Sequence, residues 1–226
     1  MITEESAPDG EFAIMTKQER QRRIHEFDEG IRVCVRCPLH QSRTHAVPGE
    51  GPVPAKVFCI GEAPGGKEDQ LGRPFVGPSG TLLNRLLETA GLGRQDVYLT
   101  SCVKCRPPNN RTPHTDELSI CQATWLNQQI DLVDPKIIVL LGRVALQQVL
   151  KDQRSLRQIH GEVVSRDGRR YFLTYHPAVA FRVPETRDSM DEDMARLKRL
   201  LATQPHTARS STEIPNPKSE IRNTHE

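Results

Sequence analysis

Short apolar runs alternate with amphipathic patterns through the middle of this chain, from about residue 57 to residue 201. The apolar runs predict strands, because aliphatic residues fill strands that are covered on both faces, and these runs lie at 57–60, 97–103 and 137–141. Apolar residues at helical spacing predict helices at about 80–90, 115–133, 143–150 and 190–201. A hairpin is predicted over 162–166 and 171–175, with its turn at Asp167 and Gly168.

This order of elements predicts an α/β fold with a mainly parallel sheet that is covered by helices on both faces. In such a sheet the ligand crevice lies outside the carboxyl ends of the strands. Three loops are expected to meet there, those that follow Ile60, Val103 and Tyr175. Candidate chemistry should therefore lie in these three loops.

The two ends of the chain lack any apolar periodicity. Residues 1–16 are polar, and residues 204–226 are rich in Thr, Ser, Pro and charge. Segments of this composition bury too little apolar surface to offset the entropy lost on ordering. We therefore expect two disordered tails around a single domain at 17–203.

The charge and the apolar runs narrow the function classes only partly. A formal net charge of +2 neither supports nor excludes a nucleic-acid partner. The first residues lack an apolar core of signal-peptide length, and the longest aliphatic run, 137–141, is far too short to span a bilayer. We therefore expect a cytoplasmic protein with no membrane partner, in a compartment where disulfide frameworks are rare.

Four of the six cysteines form a pattern that suggests a metal centre. Cys34 and Cys37 make a C-x2-C pair, and Cys105 and Cys121 make a wider pair with fifteen residues between them. Four thiolates can enclose zinc or an iron–sulfur cluster, and their spacing alone does not choose firmly between the two. Without a further signal zinc is slightly favoured over a cluster, and unligated core cysteines are a third alternative. Cys59 and Cys102 fall inside predicted strands, where small buried apolar residues are expected.

Three separated motifs occur in order together with this cysteine pattern. The first runs Gly-Glu-Ala-Pro-Gly over 61–65, with Glu-Asp at 68–69 and Pro-Phe-Val-Gly at 74–77. The second is Val-Lys-Cys-Arg-Pro-Pro-Asn-Asn-Arg over 103–111, and the third is His-Pro at 176–177 followed by Arg182. In these features, from about Cys34 to the last helix, the sequence resembles the family 4 uracil-DNA glycosylases, the iron–sulfur type of that superfamily.

The resemblance implies a three-layer α/β/α sandwich around a short parallel sheet. It implies a [4Fe-4S] cluster on the four patterned cysteines, so that the resemblance favours a cluster over zinc. It also implies an enzyme of base excision repair, which we expect to be monofunctional and monomeric. Such an enzyme binds DNA containing a damaged base, flips out the uracil and hydrolyses its N-glycosidic bond, leaving an abasic site.

The resemblance also implies roles for individual residues. Phe75 would stack on the flipped base, Glu62 would position water and stabilise the cationic sugar, and His176 would donate a hydrogen bond to the base. The backbone of Gly61, Ala63 and Gly65 would contact base oxygens, since glycine allows close approach. Phe181, in the loop 178–182, would enter the minor groove as a wedge. The side chains expected to bind phosphates are those of Lys104, Arg106 and Arg182.

This chain departs from the family at Ser101, where the family usually carries Asn. An Asn amide matches the N3–H and O4 edge of uracil with one donor and one acceptor, whereas Ser offers a single shorter hydroxyl. A slower uracil enzyme with a bridging water is one outcome. A glycosylase for hypoxanthine or xanthine is another, because the pocket would be roomier.

Two further hypotheses belong to other functional classes. Ser101 is also compatible with a non-catalytic iron–sulfur protein that binds DNA damage, although such a protein would not need both Glu62 and His176. The glycine-rich segment could instead cradle a nucleotide phosphate in a small-molecule enzyme. Neither G-x-x-x-x-G-K-[ST] nor G-x-G-x-x-G is present, however, and that hypothesis leaves the cysteine pattern unexplained.

Overall fold

A five-stranded, mainly parallel sheet forms the centre of the molecule in a computed structural model that describes residues 15–203. The strands run in the spatial order β2-β1-β3-β5-β4, and only β4 is antiparallel to its neighbour. This confirms the predicted α/β fold. The strand bounds are β1 Val57–Gly61, β2 Val97–Ser101, β3 Ile137–Leu141, β4 Val163–Arg166 and β5 Arg169–Thr174.

Helices cover the sheet and carry its connections. One of them contains a π-helical stretch, Gln122–Leu126, between two α-helical parts, so the helix predicted at 115–133 is continuous but irregular. The helices are α1 Lys17–Arg32, α2 Gly66–Leu71, α3 Pro78–Thr89, α4 Thr115–Cys121, α5 Asn127–Val133, α6 Arg143–Leu150, α7 Leu156–Ile159 and α8 Thr186–Ala202. None of the helices in the described range is long and apolar enough to cross a membrane.

Two apolar layers hold the helices against the sheet. Alternate residues of a strand point to opposite faces, so Phe58 and Ile60 of β1 join one layer while Val57 and Cys59 join the other. Helices α5 and α6 pack on the first face, and helices α3 and α8 pack on the second. Helices therefore cover both faces of the sheet, which is the three-layer α/β/α sandwich that the resemblance implied.

The differences from the predicted elements are small but affect the site. β2 ends at Ser101 rather than at residue 103, and Cys102 is buried just beyond it. α8 begins four residues before the predicted start at 190. Helix α1 was not predicted at all. Most of the two expected tails, residues 1–14 and 204–226, lies outside the described residues.

Candidate active site

The loops at the carboxyl ends of four parallel strands line one cleft of about 880 Å³. The loop after β1 supplies residues 62–68 and 74–79, and the loops after β2 and β5 supply residues from the other two predicted segments. A fourth loop, Gly142 and Arg143 after β3, joins them. The three predicted loops therefore meet, and the fourth was not predicted from the sequence.

The carboxylate of Glu68 ties the two halves of the first loop together. One oxygen, Oε1, accepts hydrogen bonds from the backbone N–H groups of Val76 and Gly77 at 2.9 and 2.8 Å. The other, Oε2, accepts from the backbone N–H of Gly65 at 3.1 Å. Hydrogen bonds to an ionised acceptor are about twice as strong as neutral ones. Glu68 thus sets the distance between the glycine-rich turn and the segment that carries Phe75.

Phe75 is held in an unusual backbone conformation, with φ at 50°. The carbonyl oxygen of Phe75 accepts a 2.9 Å hydrogen bond from Arg94 Nη1, and a Cβ atom on Gly80 would lie only 1.9 Å from that oxygen. The phenyl ring covers Gly61, where a Cβ would lie 2.7 Å from Phe75 Cζ, and its centroid is 6.1 Å from that of the His176 ring. Strain of this kind collects at functional sites.

The imidazole of His176 is neutral and carries its proton on Nε2. Nδ1 accepts a 3.1 Å hydrogen bond from the backbone N–H of Ala178, which can only donate, so Nδ1 has no proton. Burial lowers the pKa of His176 to about 4, with Glu68 opposing and Arg182 reinforcing the shift. The N–H of Ala178 is thus the partner that fixes the tautomer in which a neutral His176 donates from Nε2.

Glu62 lines the same cleft as Phe75 and His176. Burial raises the pKa of the Glu62 carboxyl, and this shift is opposed by a hydrogen bond with the Thr112 side chain and by the charges of Arg143 and Arg182. A half-buried carboxylate with two cations nearby can balance positive charge that develops on a bound ligand.

The structure corrects the expected role of Lys104. Its side chain is 2% exposed, and Nζ donates hydrogen bonds to Thr100 Oγ1 at 2.6 Å and to the Ser101 carbonyl at 2.8 Å. A phosphate cannot reach this ammonium group, so the expected phosphate contact is wrong. Ser101 itself is nearly buried and lines the cleft beside Gly61.

The other residues expected to contact DNA remain at the surface. Arg106 lies over Gly66 at the edge of the cleft and donates to Asn110 Oδ1 at 2.8 Å. Arg182 is exposed and lines the cleft, whereas Phe181 is half exposed in a neighbouring groove. Arg143 also lines the cleft and was not predicted from the sequence, although it lies two residues after the strand 137–141.

The four patterned cysteines line one narrow cavity of about 10 Å³. Apolar residues such as Ile31, Leu39 and Val103 form its walls. The part of the chain from 15 to 203 contains no group of three or more His, Cys, Asp or Glu residues that could hold a metal ion. The cysteines in question are Cys34, Cys37, Cys105 and Cys121, and all are free thiols.

Hydrogen-bond donors point at the sulfur atoms of this cavity. Arg43 Nη1 donates to Cys105 Sγ at 3.0 Å and to the Cys34 carbonyl at 2.7 Å, and Trp125 Nε1 donates to Cys34 Sγ at 3.4 Å. Burial raises the pKa of Cys121 to about 12, so a thiolate there needs a bound cation. Donors to sulfur and apolar walls are the surroundings in which iron–sulfur clusters are bound, although among residues 15–203 no three of these side chains are placed as ligands of one metal ion.

Comparison with known proteins agrees with this geometry. The model of the Uracil DNA glycosylase superfamily matches residues 48–198. A type-4 uracil-DNA glycosylase of Sulfurisphaera tokodaii is 40% identical over 192 residues, covering 80% of this chain and 86% of that protein. The enzyme of that name from Saccharolobus solfataricus is 42% identical over 78% of this chain and 86% of its own length. The type-4 uracil-DNA glycosylase of Thermotoga maritima is 38% identical, covering 80% of this chain and 96% of its own length.

Proposed function

The chain belongs to the uracil DNA glycosylase superfamily, and from that membership we propose that it removes uracil from DNA in base excision repair by hydrolysing the N-glycosidic bond. One observation carries the proposal most directly. A neutral histidine, a half-buried carboxylate and an aromatic ring, His176, Glu62 and Phe75, line the same cleft at the carboxyl edge of the sheet.

The cleft binds the uracil after it has left the base stack. The ring of Phe75 offers a face on which the flipped base stacks, which offsets part of the few kcal/mol lost on unstacking. The backbone of Ala63 and Gly65, which line the cleft, approaches the base edge, whereas Gly61 lies behind the ring of Phe75. Glu68 and Arg94 keep the stacking ring and the glycine-rich turn at a constant separation.

Cleavage of the C1′–N1 bond leaves its electron pair on the base and positive charge on the sugar. The Nε2–H of His176 donates to the uracil carbonyl oxygen where the negative charge accumulates, without giving up its proton. The Glu62 carboxylate stabilises the cationic sugar and orients a water molecule. The water oxygen bonds to C1′, its proton passes to Glu62 and then to solvent, and the uracil anion takes a proton from solvent.

Ser101 favours a second candidate substrate. Its hydroxyl lies at the end of β2 beside Gly61, and it fills less of the base-edge position than an amide would. A purine such as hypoxanthine or xanthine is the alternative substrate that this extra room favours. For uracil, we propose that a water bridges Ser101 and the base edge.

We further propose that Cys34, Cys37, Cys105 and Cys121 hold a [4Fe-4S] cluster. The group would supply a cross-link between the chain after α1, the loop after β2 and the end of α4. Arg43 and Trp125 would donate hydrogen bonds to its thiolates. Iron and acid-labile sulfide in equal amounts with broad visible absorption would support this, whereas zinc without sulfide would contradict it. Cys34→Ser should lose iron, and Cys59→Ser should retain it.

The enzyme is proposed to act as a monomer, because one chain supplies every residue assigned to the cleft.

The test of the activity is product analysis on uracil-containing DNA. Free uracil and an intact strand that breaks only after alkali would support a monofunctional hydrolase. Covalent trapping of the protein on damaged DNA by borohydride would contradict it, because trapping requires an amine nucleophile.

A further inference from the structure

A second groove, of about 630 Å³, lies beside the cleft between α3 and the turn Pro177–Phe181. It shares Lys67, Gly77 and Pro78 with the cleft, so the two adjoin. A DNA strand whose uracil occupies the cleft continues from it in both the 5′ and the 3′ direction. The groove offers the chain next to the target a place to lie.

The floor of the groove is apolar and includes an exposed aromatic ring. Phe181 is 50% exposed, and it lies with Leu82 and Val76 along the groove. A single exposed apolar side chain is ordinary at a protein surface. Phe181, however, lies inside a groove that adjoins the cleft, and this position indicates a ligand-binding role for its ring.

The rim of the groove is cationic. Lys67, Arg85 and Arg187 line it, and all three are exposed. Arg85 also forms an ion pair of 3.2 Å with Asp191, which partly neutralises it and leaves Lys67 and Arg187 as the stronger attractors of an anion. Aromatic rings flanked by cations are the combination with which proteins bind single-stranded nucleic acid, through base stacking and phosphate contacts.

We propose that this groove binds the nucleotide next to the flipped uracil in single-stranded DNA, with its base on the ring of Phe181 and its phosphate beside Lys67 and Arg187. In a single strand the neighbouring base is unpaired and free to stack. In a duplex that base stays in the helix, and Phe181 is left to fill the gap. The subsite rests on the proposed uracil-DNA glycosylase function.

The test compares single-stranded and duplex substrates of one sequence under single-turnover conditions. Phe181→Leu keeps an apolar side chain that can fill a gap but removes the aromatic face. We expect this variant to lose roughly fivefold or more in kcat/KM on single-stranded uracil DNA, and to lose clearly less on the duplex, where leucine still fills part of the gap. Arg187→Gln should show the same selectivity for the single strand. The matched controls are Val163→Ala, an exposed apolar residue on β4, and Arg22→Gln, an exposed charge on α1.

A binding measurement locates the neighbouring base directly. Oligonucleotides with 2-aminopurine on the 5′ or the 3′ side of uracil report stacking as a loss of fluorescence. Quenching on one side that Phe181→Leu abolishes would support the subsite. Equal losses on single-stranded and duplex DNA, or quenching that Phe181→Leu leaves intact, would overturn it. In either case, uracil release by the unmodified protein from both substrates shows that the glycosylase proposal itself stands.

Discussion

The ammonium group of Lys104 donates a 2.8 Å hydrogen bond to the carbonyl oxygen of Ser101 from inside the protein. Lys104 also lines the cysteine cavity, so one residue connects that cavity to the end of β2. The buried ammonium group of Lys104 thus helps to fix the end of β2, which faces the proposed base pocket.

Replacement of Lys104 should affect catalysis but not the salt dependence of DNA binding. In Lys104→Met the Ser101 carbonyl loses its donor, and we expect roughly a tenfold or greater loss of kcat/KM on uracil, because small misplacements of a binding group are costly. The slope of log Kd against log salt should stay unchanged, since Lys104 contacts no phosphate. Arg182→Gln is the comparison, and it should reduce that slope by about 0.7 to 0.9. A reduced slope in Lys104→Met would restore its role as a phosphate ligand.

The hydrogen bonds that the Glu68 carboxylate accepts from three backbone N–H groups should contribute measurably to the free energy of unfolding. Glu68→Gln retains one acceptor oxygen for three backbone donors, and we expect a loss of about 1.5–3 kcal/mol in the free energy of unfolding. Urea denaturation measures this, with Glu29→Gln on the exposed face of α1 as a control that should change little. Equal stabilities of the two variants would remove Glu68 from this role.

Gly80 tests whether the conformation of Phe75 is enforced by packing. Alanine normally stabilises a helix interior by about 1 kcal/mol relative to glycine. Here the new methyl group would lie 1.9 Å from the Phe75 carbonyl oxygen, so Gly80→Ala should instead destabilise the protein, by about 1–3 kcal/mol. It should also slow uracil release. A rise in melting temperature would show that the carbonyl is free to move.

The pH profile should reflect Glu62 and not His176. The pKa of Glu62 is raised by burial above its usual 4.5, whereas burial lowers the pKa of His176 to about 4. As the pH falls, Glu62 is therefore protonated first, and kcat/KM should decline with a midpoint above 4.5. The residual activity of Glu62→Gln should lack this decline. An inflection near 6.5 that disappears in His176→Asn would mean that the histidine titrates normally.

The pattern of residues predicted the sheet and the meeting of its loops because both follow from short apolar strands and the parallel order. Helix α1 was missed since its apolar positions, Ile24, Phe27 and Ile31, are sparse among charges. The Thr16–Glu19 capping box was nevertheless readable as a helix start. The burial of Lys104 could not be read from its neighbours in sequence, because it depends on how β2 packs against the cysteine cavity. The tautomer of His176 depends on a near neighbour, Ala178, but the apolar and polar pattern does not specify the turn that brings the Ala178 N–H to Nδ1.

The most direct test is single-turnover cleavage of end-labelled oligonucleotides that contain uracil, hypoxanthine or xanthine, followed by alkali. We expect the unmodified protein to act on uracil, Glu62→Gln to be slower by about a hundredfold or more, and Ser101→Asn to be faster on uracil by about ten- to a hundredfold. Cleavage only at hypoxanthine or xanthine would show that the substrate is a deaminated purine and not uracil. Binding of all three oligonucleotides without any abasic product would contradict the enzymatic assignment.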